Sequence, residues 1–174
     1  MAALAAIACT PDKAQAACVA AADFDGVRLP TSCLSPTETR VVRLRMFRAD
    51  LAVAALSCHQ QTQYNNLVTR HQDELVRQGQ ALRALFQRIH HANAERELNR
   101  FITHLANRAS LKRLEQPRYC QDMNRVFQEA QAQPRQGLMA YVQARTLQGE
   151  PVRHLAAMDT AAGDKPSKRP VLED

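Results

Sequence analysis

VVRLRMFRADLAVAALSC, residues Val41 to Cys58, is the stretch whose reading decides the fold. Placed on a helix at about 100° per residue, it is apolar on more than one side. Val41, Leu44, Phe47, Leu51, Ala54, Ala55 and Cys58 share one broad face, and Val42, Met46, Val53 and Leu56 lie across from it. A helix that is apolar nearly all round belongs inside a bundle. Arg43, Arg45, Arg48 and Asp50 interrupt the run, which makes it a poor membrane span. The run ends in a cysteine, and the reach of that cysteine sets the topology.

On its N-terminal side stands Ser35-Pro36-Thr37-Glu38. Serine caps, proline fits the first helical position and glutamate completes a capping box, so the first helix starts here. On its C-terminal side the polar run Gln60 to Gln63 makes a turn. A second stripe follows: Tyr64, Leu67, Val68, His71, Leu75, Leu82, Leu85, Phe86 and Ile89. Its alternating spacings predict one long helix, or two collinear ones, from Thr62 to His90. Gly79 is the expected kink. Asn93 is the expected cap of a third helix that ends near Glu115, because Pro117 disfavours helix at Gln116. That helix carries a single stripe of Leu98, Phe101, Ile102, Leu105 and Ala109. Pro117 then opens a fourth helix with Met123, Val126, Phe127 and Ala130 on one face, and Pro134 breaks it. A short last helix spans Gln136 to Leu147.

Length and composition agree with this. A chain of 174 residues supports one domain, and 45% apolar residues supply a core. Five glycines, no tryptophan and abundant Ala, Leu, Gln and Arg favour helix over sheet. The net charge is +6. That admits anionic partners, but no long Lys/Arg block interrupts the folded part, so a solvated basic surface is the plainer reading. Nucleic acid is therefore not the expected partner.

The segment 1–16 reads as a candidate signal. Met1 to Ala8 is a small apolar run, and Ala14-Gln15-Ala16 has the A-x-A form of a cleavage site, giving a mature start at Ala17 or Cys18. No basic n-region precedes the run, which points to a start upstream or a clipped signal. Lipidation at Cys9 and an ordinary cytoplasmic tail are the alternatives. Cleavage discards Cys9 and leaves Cys18, Cys33, Cys58 and Cys120. Four cysteines without a CxxC read as two disulfides in an oxidising compartment. Cys18–Cys33 closes the N-terminal loop 17–34, worth about 3 kcal/mol in the chain-entropy model. Residues 35–148 form the helical bundle, and 149–174 a flexible polar tail.

With short connections the helices run up and down. The first ends at the bottom with Cys58, the second returns, the third descends, and Cys120 opens the fourth beside Cys58. A Cys58–Cys120 bridge there closes a loop of about 60 residues, worth about 4 kcal/mol. The expected fold is all-α, an up-and-down bundle of four to five helices with disulfides.

Leu56-Ser57-Cys58, then Gln63-Tyr64-Asn65 and Val68-Thr69-Arg70, then Leu98-Asn99, Phe101 and Leu105-Ala106-Asn107 resemble a family of small exported helical proteins from proteobacteria. The resemblance covers about residues 40–130. It implies secretion and a helical fold, and carries no activity and no functional residues.

Chemistry is sparse. There is no Gly-rich phosphate loop, no G-x-S-x-G, no HExxH and no paired acid constellation, so no enzyme is expected. His71 is the one histidine on an apolar stripe. The plain reading is a buried neutral histidine bonded to a neighbour. The sharper one is a ligand to metal or to haem held noncovalently, since CxxCH is absent. The leading expectation is a non-catalytic periplasmic or secreted helical protein without cofactor or resident metal, acting on an unknown protein partner or in an envelope assembly. A small-ligand, haem or metal binder using His71 is the alternative, and a basic nucleic-acid binder the second.

Overall fold

The structure, a computed structural model, describes residues 19–20, 24, 26 and 29–149. A small antiparallel pair comes first, β1 (Val19–Ala20) and β2 (Cys33–Leu34), with Ala20 opposite Cys33. The helices follow as α1 (Pro36–Ser57), α2 (Gln61–Arg70), α3 (Gln72–His90), α4 (Ala94–Glu115), α5 (Tyr119–Gln131) and α6 (Leu138–Gly149). The all-α bundle is as expected. No helix among the described residues is long and apolar enough to cross a membrane.

α1 starts where the sequence placed it. The Glu38 N–H donates to the Ser35 hydroxyl at 3.2 Å, and the Ser35 N–H donates to the Glu38 carboxylate at 2.8 Å. Such a cap is worth about 1 kcal/mol. Arg88, near the end of α3, donates to the same carboxylate. Burial pushes Glu38 up, but the Ser35 N–H and Arg88 outweigh it and hold the carboxyl below its usual range.

These contacts fix the directions. Glu38 beside Arg88 sets the start of α1 against the end of α3. Lys112 of α4 pairs with Asp50 of α1 at 3.3 Å, late in both helices, so α4 runs parallel to α1. Cys58 and Cys120 are joined in a disulfide with Cα atoms 5.5 Å apart, which starts α5 at the foot of α1. The reversal after α1 is a Schellman-type end. Gln60 N–H donates to Ala55 O at 2.9 Å, and His59 takes the left-handed conformation at φ 57°. Cys33 is also disulfide-bonded. Its expected partner Cys18, the signal segment 1–16 and the tail from 150 onward lie outside the described residues.

α1 packs against α2, α3, α4, α5 and α6. The reason is visible in the core, which divides into two clusters with α1 as their shared wall. Val41, Val42 and Ala49 face one cluster, with Leu82, Leu85 and Phe86 of α3 and Leu98, Phe101 and Leu105 of α4. Leu44, Leu51, Ala54 and Ala55 face the other, with Leu67 of α2, Val126, Phe127 and Ala130 of α5, and Leu138 and Val142 of α6. A helix between two cores needs apolar residues on opposite sides.

Four local expectations are corrected. The break in the second helical stretch falls at His71, and Gly79 lies inside an uninterrupted α3. Asn93 precedes α4 but its side chain makes no cap hydrogen bond; a 3-10 turn, His91–Asn93, leads in instead. α5 begins at Tyr119, two residues beyond Pro117. Leu56 is 71% exposed. With Lys112 level with Asp50, the end of α4 at Glu115 reaches only about the level of Val53 at about 1.5 Å per residue, so α4 stops short of Leu56.

Two tyrosines brace the bundle. Tyr119 donates to Asp50 O at 3.3 Å, and Tyr141 donates to the Glu129 carboxylate at 2.7 Å. Burial, then the nearby Asp50 charge, pushes Tyr119 up to about 12. Burial and the bond to Glu129 do the same to Tyr141, also to about 12. A folded value above the ordinary 10.0 means stability that is full below pH 10 and lost as pH rises towards about 12. Circular dichroism against pH is expected to show destabilisation within that window. A flat profile through it would refute the assignment.

Candidate functional site

His71 sits where α2 hands over to α3. The backbone there leaves helix geometry for one residue, at φ −107° and ψ 19°, yet His71 N–H still reaches Leu67 O and Leu75 N–H reaches His71 O. The ring is fully buried. Its Nδ1 lies 3.3 Å from Arg135 O and its Nε2 3.3 Å from Ala130 O. Both oxygens belong to the end of α5 and the turn beyond it. Three turns of helix contribute to the same grip. Arg70 donates to Gln133 O at 3.1 and 3.2 Å. Arg77 donates to the Gln136 side chain. Glu74, 3% exposed, accepts the N–H groups of Leu138 and Met139 at 3.1 and 2.9 Å. The first N–H groups of a helix lack intrahelical partners, so Glu74 caps α6 from another helix.

Glu74 also stands 3.8 Å from the His71 ring. The turn it holds depends on Gly137, whose N–H donates to Pro134 O at 2.8 Å. A Cβ at Gly137 would lie 2.9 Å from Pro134 Cδ. His71 is thus a buried, hydrogen-bonded histidine that fastens the α5–α6 turn. A metal or haem ligand must offer a nitrogen lone pair; here each nitrogen is directed at a carbonyl oxygen. Among the described residues no group of three or more His, Cys, Asp or Glu could hold a metal ion. Sequence reading missed Glu74. The signal was its position three residues after His71, on the same face.

A different feature offers an accessible site. Between α1 and α3 lies an open groove of about 560 Å³, within the range of about 300–1,000 Å³ typical of small-ligand sites. Val68, Leu75, Val76, Leu82, Leu98 and Ile102 form its apolar walls, and Arg45, Arg48 and Arg83 are its charged residues. A narrow cleft of about 30 Å³ continues inward between Val41, Leu44, Leu75 and Leu82. No acidic residue lines either space.

The arginines differ in what they touch. Arg83 pairs with Glu95 at 2.7 Å, and Arg48 donates to the Tyr64 hydroxyl at 3.4 Å. Arg45 has a buried Nε with no hydrogen-bond partner among the described residues. Burial pulls its guanidinium below the ordinary arginine value, the neighbouring Arg48 charge pulls further in the same direction, and Tyr64 partly opposes them. Two like charges three residues apart on one helix, one of them half-buried, form a place where an anion is stabilised. Arg108 and Arg113 of α4 also carry an Nε without a partner, but neither lines this groove.

Gly79 opens the groove. It stands on the α3 stripe between Leu75 and Leu82 and lines the groove together with Arg45 and Arg48. A Cβ built there meets nothing within 4 Å. Gly79→Ala is therefore expected to raise stability by about 0.5–1 kcal/mol in urea unfolding, through helix propensity alone. A destabilised variant would show that this space is not open. Sequence reading took Arg45 and Arg48 only as interruptions of an apolar run, and Gly79 only as a kink.

No family model, no curated protein and no solved structure matches the chain. The site must therefore be read from its own geometry.

Proposed function

We propose that the protein is a non-catalytic, exported helical protein of the periplasm that works by binding, as an interaction module of the cell envelope. One observation carries the reading: Arg45, whose buried Nε has no hydrogen-bond partner among the described residues, lines with Arg48 an apolar groove that a ligand can enter. A buried polar atom is normally hydrogen-bonded. The Cys58–Cys120 disulfide supports an oxidising compartment. His71 and Glu74, the only two buried residues with titratable side chains besides tyrosine among the described residues, hold the α5–α6 turn together.

Two measurements test this. N-terminal sequencing with nonreducing mass spectrometry of the cellular protein is expected to find the signal segment removed and Cys58 joined to Cys120. An intact Met1 with free thiols would overturn the export reading. A photoreactive residue at Gln80, on the groove rim, is expected to form an adduct in the periplasm, and one at Arg125, exposed on α5, is not. Equal yields at both positions, or none at Gln80, would overturn the binding reading.

A further inference from the structure

The binding reading can be taken to a ligand class, and the inference rests on it. We propose that the α1–α3 groove takes a single-chain amphiphile, with its anionic carboxylate or phosphate head on Arg45 and Arg48 and its hydrocarbon chain along Leu75, Val76, Leu82 and Ile102.

Three independent features select this chemistry. The first is charge. Arg45 and Arg48 face the groove without any carboxylate of the protein among its lining residues, and guanidinium forks bind carboxylate and phosphate oxygens well. The second is the wall. Val76 is 52% exposed, and the apolar strip continues from it across α3 to Leu98 and Ile102 on α4. A purely ionic ligand such as inorganic phosphate would leave the exposed Val76 and the half-buried Val68 and Ile102 in water, whereas an alkyl chain would cover them, at about 25 cal/mol per Å². The third is access. Gly79 supplies no side chain over the middle of the groove, so a chain lies across α3 without displacing anything.

The groove also explains an otherwise unfavourable arrangement. Arg45 is half-buried beside a second cation, and a bound anion removes the repulsion. An uncharged alcohol of the same length can accept a hydrogen bond but leaves the repulsion in place, so the arginines discriminate by head-group charge while the leucines and valine supply the chain site.

The test is calorimetric titration of the mature full-length protein, below the micellar range, with dodecanoate, dodecyl phosphate, dodecanol, acetate and inorganic phosphate. At least one of the two anionic amphiphiles is expected to bind saturably, one molecule per chain. Which of them binds distinguishes a fatty-acid source from a phospholipid-derived one. Dodecanol is expected to bind at least about tenfold more weakly, and the R45Q/R48Q variant to lose at least about tenfold for the anion with little change for dodecanol. Gly79→Leu is expected to abolish binding and Gly79→Ala to retain it. Among the described residues Arg45 has no hydrogen bond to lose at Nε and Arg48 has the long one to Tyr64, so the arginine variant tests the idea even if Gly79→Leu fails to fold. Dodecanol binding as tightly as the anions, unchanged affinity in R45Q/R48Q, or no binding of either amphiphile would overturn the proposal. If the Gln80 adduct is then a polypeptide, the binding reading stands and the ligand class falls.

Discussion

Glu74→Ala is expected to lower the unfolding free energy by about 3–5 kcal/mol, the range for breaking a buried charged contact from one side. The carboxylate is 3% exposed and accepts two backbone N–H groups at the start of α6. Removing it leaves the buried Leu138 N–H and the partly buried Met139 N–H without acceptors, at about 1–3 kcal/mol for the buried one and less for the other. It also takes the nearest carboxylate from the His71 ring, 3.8 Å away. Glu74→Gln keeps one acceptor oxygen and is expected to lose roughly half as much, because it can still accept from one of the two N–H groups. Urea unfolding of the three proteins measures this. Proteolysis provides a local reading, since the α5–α6 turn around Pro134 is expected to become the first cleavage site in Glu74→Ala. A variant within about 1 kcal/mol of the parent would mean that the grip on α6 does not hold the fold.

The paired replacement C58S/C120S is expected to cost about 4 kcal/mol. The disulfide closes a loop with a sequence separation of 62. The chain-entropy relation gives about 4 kcal/mol for a loop of that length. Paired serines are the proper comparison, because a reductant would also act on the disulfide at Cys33. The urea midpoint falls while its slope changes with the looser unfolded chain. An unchanged midpoint would show that the foot of the bundle is held by packing and by contacts such as Gln60 to Cys120 O without help from the link.

What the sequence revealed and what it concealed have separate physical origins. The start of α1 was legible because a capping box is a local device, Ser35 and Glu38 lying three residues apart. The Cys58–Cys120 bridge was legible because up-and-down connectivity brings the end of one helix to the start of another. The break at His71 was not. Gly79 is the weaker helix former, yet the chain leaves helix geometry at His71, whose ring contacts carbonyls 59 and 64 residues further along. No window of local sequence contains that pull. The groove was concealed for the same reason. Arg45 and Arg48 on α1 and Gly79 on α3 each have a bland local meaning, and only packing α1 against α3 turns them into one cavity. Leu56 shows the opposite error: periodicity assigned it to a buried face, and the height at which α4 ends decided otherwise.

The claim beneath all of this is that α1 is the wall shared by two cores, which both roots the disulfide and sets Arg45 and Arg48 in the groove. Native-state hydrogen exchange tests it most directly. The amides of Leu44, Leu51, Ala54 and Ala55 are expected to exchange only through global unfolding, more slowly than those of α6 and no faster than those of Leu98, Phe101 and Leu105 in α4. Exchange of the α1 amides ahead of α4 would contradict it.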